Sequence, residues 1–184
     1  MKKYYLLISL FIFSTATNAS IKENIINNLK DINNITFKFE QNTSGKIENG
    51  TCTIKYSKKI FCKYENQNKK ILVSNGKSLV IKNRNSGTYY IYPLEKTPLE
   101  FLLDKNYLIK KINILKSRII SDKYINFTML ENNNVINIFF DKETLDLIGW
   151  QTEDMYQNLT ITFISSVKRN QKINDRIFIL PKRN

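Results

Sequence analysis

The sequence predicts a mainly β protein: an open, incomplete antiparallel β-barrel of roughly ten to eleven strands capped by short lid helices. Three observations point there. From Ile35 onward apolar residues recur with period two in one short run after another. Turn signals separate the runs: Ser44-Gly45, Asn49-Gly50, Asn75-Gly76, Ser86-Gly87 and Asn132-Asn133-Asn134. Only two stretches carry helix-start signals.

The first residues stand apart. Lys2 and Lys3 precede an apolar run over 4–13, and Thr17-Asn18-Ala19 makes an acceptable cleavage site. That pattern predicts a secretory signal peptide over 1–19, with one domain over 20–184. The apolar run is about 10 residues, short for a membrane span; an uncleaved N-terminal anchor is the alternative. No Cys follows the predicted cleavage site, so lipid attachment there is not indicated. The mature protein is expected to be soluble and exported.

A helix is expected over 20–32, where Ser20 and Glu23 form a capping box and Ile21, Ile25, Leu29 and Ile32 recur at helical spacing. The period then drops to two: Ile35, Phe37 and Phe39 alternate with Thr36, Lys38 and Glu40. Further strands are predicted over 47–56, 59–66, 70–74, 78–83, 88–93, 111–116, 124–130, 135–141, 145–152, 160–167 and 176–180. Asn75-Gly76 is the clearest hairpin turn. A second helix is expected over 97–105, with Thr97 as N-cap, Pro98 at the first position and Glu100 completing a capping box.

Alternation sorts side chains onto faces. Phe37 and Phe39, Ile54 with Cys52 and Tyr56, Phe127 and Met129, Ile136, Ile138 and Phe140, and Ile161 with Phe163 mark one apolar face. Two short helices over so wide a sheet leave room for a trough. Ile25, Leu29, Leu99, Phe101 and Leu102 would then form the lid; an ordinary filled core is the competing reading.

Cys52 and Cys62 share a face if the turn between their strands centres on Ser57. A cross-strand disulfide is then within geometric reach, and two buried thiols are the alternative. The chain has no His, which removes Ser-His and Cys-His pairs and His-based metal sites. Gly76-Lys77-Ser78 lacks the earlier Gly of a phosphate loop, Ile71 standing in its place. Glu153 and Asp154 are adjacent and would face opposite ways on a strand. No enzyme activity, metal or cofactor is expected. The formal charge of +13, two of it from Lys2 and Lys3, is scattered, which fits anionic surfaces better than nucleic acid.

The stretch "KKILVSNGKSLVIKN" over 69–83 resembles the "ILVSDGK-T/S-L" of the LolA family, periplasmic carriers that move lipoproteins to the outer membrane. Similar in order are "ITFKFEQ" over 35–41, Gly50 opening a strand, Thr97-Pro98 opening a helix, "DMYQNLTITF" over 154–163 and "FILP" over 178–181. The resemblance implies an unclosed barrel whose concave apolar face holds lipoprotein acyl chains beneath helices. It also implies a monomer served by an inner-membrane ABC-type release complex and an outer-membrane acceptor. The family's lid-latching Arg falls on Tyr56, its Pro on Ser57, and its next apolar position on Ile60. A sensor of lipid or lipoprotein on a similar barrel is the alternative function.

Overall fold

The computed structural model describes residues 20–65, 70–153 and 157–183. The predicted signal peptide over 1–19, Asn66, Lys69 and Asp154 lie outside the described residues. The described chain begins with α1 (Ile21–Asp31), whose capping box is formed: the Ser20 hydroxyl accepts from the Glu23 amide at 3.2 Å. The Glu23 carboxylate accepts from the Ser20 amide at 2.9 Å.

Eleven strands follow in one antiparallel sheet: β1 (Asn34–Thr43), β2 (Lys46–Lys55), β3 (Lys59–Tyr64), β4 (Lys70–Asn75), β5 (Ser78–Asn83) and β6 (Tyr89–Pro93), then β7 (Arg118–Ile120), β8 (Tyr124–Glu131), β9 (Asn134–Asp141), β10 (Leu147–Glu153) and β11 (Leu159–Arg169). Its spatial order is β6-β5-β4-β3-β2-β1-β11-β10-β9-β8-β7. The first and last strands of the chain thus meet at the centre, and β6 and β7 are left as edges of an open barrel. Between those edges in sequence lie α2 (Leu99–Leu103) and α3 (Lys105–Ile114).

Two predicted strands are not strands. Residues 111–116 belong mainly to α3, because Asp104 caps a new helix by accepting from the Tyr107 amide at 3.0 Å. Leu108 and Ile112 then share its buried face. Residues 176–180 fall largely in a single tight turn, Asp175–Phe178, started by the Asn174 side chain accepting from the Arg176 amide. Strand β7, three exposed residues at an edge, carried no alternation to read.

The second capping box is also not formed. The Thr97 hydroxyl donates to the Leu94 carbonyl at 2.8 Å, and the Glu100 carboxylate bonds Lys58. Helix α2 therefore begins after Pro98 without a side-chain cap.

Register fixes what the two faces carry. Phe37 stands opposite Cys52, Cys52 opposite Cys62, and Cys62 opposite Leu72. The two cysteines are joined, with Cα atoms 4.1 Å apart. Gly50 lies between Phe39 and Tyr64, and a Cβ there would stand 2.2 Å from the Lys63 carbonyl and 2.8 Å from the Phe39 ring. The glycine lets that ring lie flat on the strand. Gly76, at φ +96°, closes the β4–β5 hairpin, where the Asn75 side chain accepts from the Lys77 and Ser78 amides.

The convex face has its own small apolar seal. Val73, Val80 and Phe178 are buried, and the turn carrying Phe178 lies against β3 and β4. Lys55 pairs with Asp175, and the Tyr89 hydroxyl donates to the Pro181 carbonyl at 3.1 Å, so the C-terminal segment straps this half of the sheet. Replacing both Cys52 and Cys62 by Ala is expected to lower the unfolding free energy by about 2–3 kcal/mol, the value for so short a closed loop. Urea unfolding of the oxidised protein measures it.

Candidate functional site

Strand alternation aims Ile35, Phe37, Phe39, Ile54, Ile60, Phe127, Met129, Ile136, Ile138 and Phe140 at the concave face, and all are buried. The Phe37 ring meets Trp150 edge-on, and Phe127 meets Phe140 likewise. Over this face lie Ile25, Ile26 and Leu29 of α1, Leu102 and Leu103 of α2, and Leu108 and Ile112 of α3, buried in the same cluster. Leu99 and Phe101 are half-buried against it, with the Phe101 ring 5.2 Å from that of Tyr107. The lid therefore has three helices, the third being the stretch that sequence alternation rendered as a strand.

Two of the expected lining residues are elsewhere. Glu40 pairs with Phe163 and Asn42 with Ile161, so both apolar side chains lie on the convex side and Phe163 is 53% exposed. Thr160, Thr162 and Ile164 face inward instead. Ser166, at φ +54°, sits where the β1–β11 register shifts, and beyond it Val167 returns to the core.

The helices press closely on the sheet. Between α1 and the strands, Leu29, Ile32, Ile35, Tyr56, Phe140 and Val167 enclose about 10 Å³, no more than one water needs. A wider hollow of about 410 Å³ lies open on the other side, among Lys38, Glu40, Asn49, Phe163 and Ser165. Volume alone does not mark the concave face; its chemistry and its cover do. In this closed arrangement the lid side chains occupy the apolar space themselves.

Polar ties hold the lid at a few points. Lys58, at φ +64° in the β2–β3 turn, bonds Glu100 and reaches Asp104 at 3.2 Å, gripping α2 at both ends. Its own carbonyl accepts from the fully buried Ser74 hydroxyl at 3.1 Å, which fixes the turn. The Glu100 and Asp104 bonds raise the Lys58 pKa against the opposing effect of burial. Lys105 donates to the Lys30 and Ile32 carbonyls at the end of α1, and Lys111 pairs with Glu131 of β8. Tyr56, expected from the sequence as a lid residue, packs into the α1 cleft, where burial pushes its phenol up to about 12. The tie to α2 comes from Lys58, two residues on.

Among the described residues no group of acidic, Cys or His side chains could hold a metal, and no helix is long and apolar enough to cross a membrane. One polar inclusion interrupts the concave face: Glu48, Lys70, Tyr64, Gln41 and Thr162, linked by an ion pair, a lysine–ring contact and hydrogen bonds. Periodicity gave no sign of it, since Glu48 and Lys70 read as ordinary surface charges.

Replacing Lys58 by Met is expected to speed amide exchange at Phe101–Leu103 at neutral pH while lowering global stability by less than about 1 kcal/mol. A raised lysine pKa stabilises the fold fully below its unfolded value of 10.5 and ceases to do so as pH rises through the folded one. The stability gap between wild type and Lys58→Met should therefore be constant from pH 7 to 9 and close at higher pH. Urea unfolding across that range checks the sign.

The profile of the family described as outer membrane lipoprotein carrier protein LolA matches residues 30–180. No protein with a curated description matches in sequence. Among solved structures, an uncharacterised conserved protein from Thermus thermophilus superposes with a TM-score of 0.52 at 6% identity, covering 88% of this chain and 93% of that one. A LolA superfamily protein from Nitrosomonas europaea gives 0.45 at 8% identity, over 88% and 99% of the two chains. A lipoprotein-sorting protein domain from Vibrio parahaemolyticus, described as an outer-membrane one, gives 0.48 at 8%, over 85% and 95%. With the family profile running from the end of α1 to the C-terminal turn, and an open sheet roofed by helices beneath it, this chain belongs to the LolA family of outer-membrane lipoprotein carriers.

Proposed function

We propose that this protein is a periplasmic carrier that takes the acyl chains of lipoproteins under its helices, receiving them from an inner-membrane ABC-type release complex and delivering them to an outer-membrane acceptor. Residues 20–184 form the carrier, exported with a signal peptide over 1–19 that is cleaved. The observation that carries the reading is a wide apolar concave face whose cover is three short helices, tied down at isolated polar points.

Transfer energies give this arrangement its sense. Lifting the helices exposes seven buried side chains, Ile25, Ile26, Leu29, Leu102, Leu103, Leu108 and Ile112. At about 1.5–3 kcal/mol each, opening costs on the order of 10–20 kcal/mol. One long acyl chain returns about 12 kcal/mol at ~0.8 kcal/mol per methylene, and two or three return about 25–35 kcal/mol. Cargo with several chains lifts the lid with free energy to spare; a single chain barely balances it. The closed lid thus takes part of the gross binding energy and leaves an affinity from which cargo can be released.

A fluorescent triacylated lipopeptide is expected to bind the chain from Ser20 onward, and Phe101→Asp, at a half-buried lid position, to weaken binding by about tenfold. Depleting the protein in its host should strand lipoproteins at the inner membrane. Normal sorting after depletion would remove the carrier reading.

A further inference from the structure

The polar inclusion lies beside a part of the concave face that the helices leave half-covered. Along this row Leu72 stands opposite Ile81 and Ile81 opposite Tyr90, at the β6 edge. Leu72 and Ile81 are half-buried and Tyr90 is 48% exposed, its ring stacked with that of Tyr92. This makes an apolar shelf at the mouth of the trough. Lys70 is two residues before Leu72 on the same face of β4 and stands where the shelf begins.

The Lys70 ammonium is built into its place. It pairs with Glu48, whose side chain is 9% exposed, and sits 3.8 Å from the centre of the Tyr64 ring. Lys46 stands 3.7 Å from the other Glu48 oxygen, so two ammonium groups share this carboxylate. An ammonium carries three donors. Burial lowers the Lys70 pKa in spite of Glu48, so the carboxylate does not fully offset its desolvation.

We propose that this corner binds an amphiphile with one hydrocarbon tail and an anionic head, the head on Lys70 and the tail along Leu72, Ile81 and Tyr90. The inference rests on the reading of the concave face as an acyl-binding trough, and adds a second class of ligand to it. A single tail at best balances the lifting of three helices and leaves nothing over for affinity, but the shelf is already accessible. A carboxylate and a phosphate monoester share the needed charge, and separate arms of the experiment tell them apart.

The test is displacement of a dansyl-labelled fatty-acid probe by dodecanoate, its methyl ester and dodecanoyl lysophosphatidate. Dodecanoate is expected to bind about tenfold more tightly than the ester, the advantage of a hydrogen bond to a charged group. Lys70→Met should bring the acid down to the ester's affinity, and Lys70→Arg should keep it above. The Glu48→Gln/Lys70→Met double variant, which leaves no orphaned carboxylate, guards against misfolding and should behave as Lys70→Met does. A lysophosphatidate that outcompetes dodecanoate would assign the head to phosphate, and the reverse to carboxylate. Equal affinity for acid and ester, or an acid preference that survives in both Met variants, overturns the head-group site alone. If none of these single-tailed ligands binds, this inference falls, while the trough reading is decided separately by the triacylated lipopeptide.

Discussion

A strongly curved antiparallel sheet with one apolar face cannot leave that face in water. Everything else in this molecule follows from how it is covered. The strands supply rings and branched side chains on the concave side from Ile35 to Phe140, and among the described residues the cover comes from three short helices at two places in the chain. None is long enough to be stable by itself, so each owes its helicity to the surface it shields. The dependence is mutual. The sheet stays dry because the helices sit on it, and the helices exist because the sheet is dry.

Such a cover is divisible, and its seams are polar. Lys105 joins α3 to the end of α1, so these two helices form one piece. Lys58, from the turn below, holds α2 through Glu100 and the start of α3 through its cap Asp104. Exposed or half-exposed ion pairs contribute little to global stability. What they supply is position: they set where the cover rests without making it costly to shift. The strap on the convex face does the opposite work, since Phe178 and its neighbours bury apolar area against β3 and β4 and hold that half of the sheet in shape.

Much of this was legible in the residues, and the failures have physical causes. In β8 and β9 strict alternation set Phe127, Met129, Ile136, Ile138 and Phe140 on the face they occupy. In β11 the same rule chose the wrong face. Thr160 and Thr162 are compatible with either side of a sheet, and the register against β1, with its irregularity near Ser166, decided that they turn inward. Local hydrophobicity lost there to pairing with a strand far away in sequence, 121 residues for Gln41 and Thr162. Helix α3 was missed because Ile112 and Ile114 alternate like a strand, while the decisive signal, Asp104 as a cap, falls where the preceding helix was expected to end. The Glu48–Lys70 pair could not be read at all, since its members are far apart in sequence and meet only through β2, β3 and β4.

The two free margins, β6 and β7, change what the sheet can do mechanically. A closed barrel has a circumference set by strand number and stagger, and widening it means breaking a ladder. Here the gap between the margins can gape or narrow while every interstrand bond persists. A change in curvature can then be spread as a small unbending over eleven strands, where a closed wall of fixed circumference would have to part.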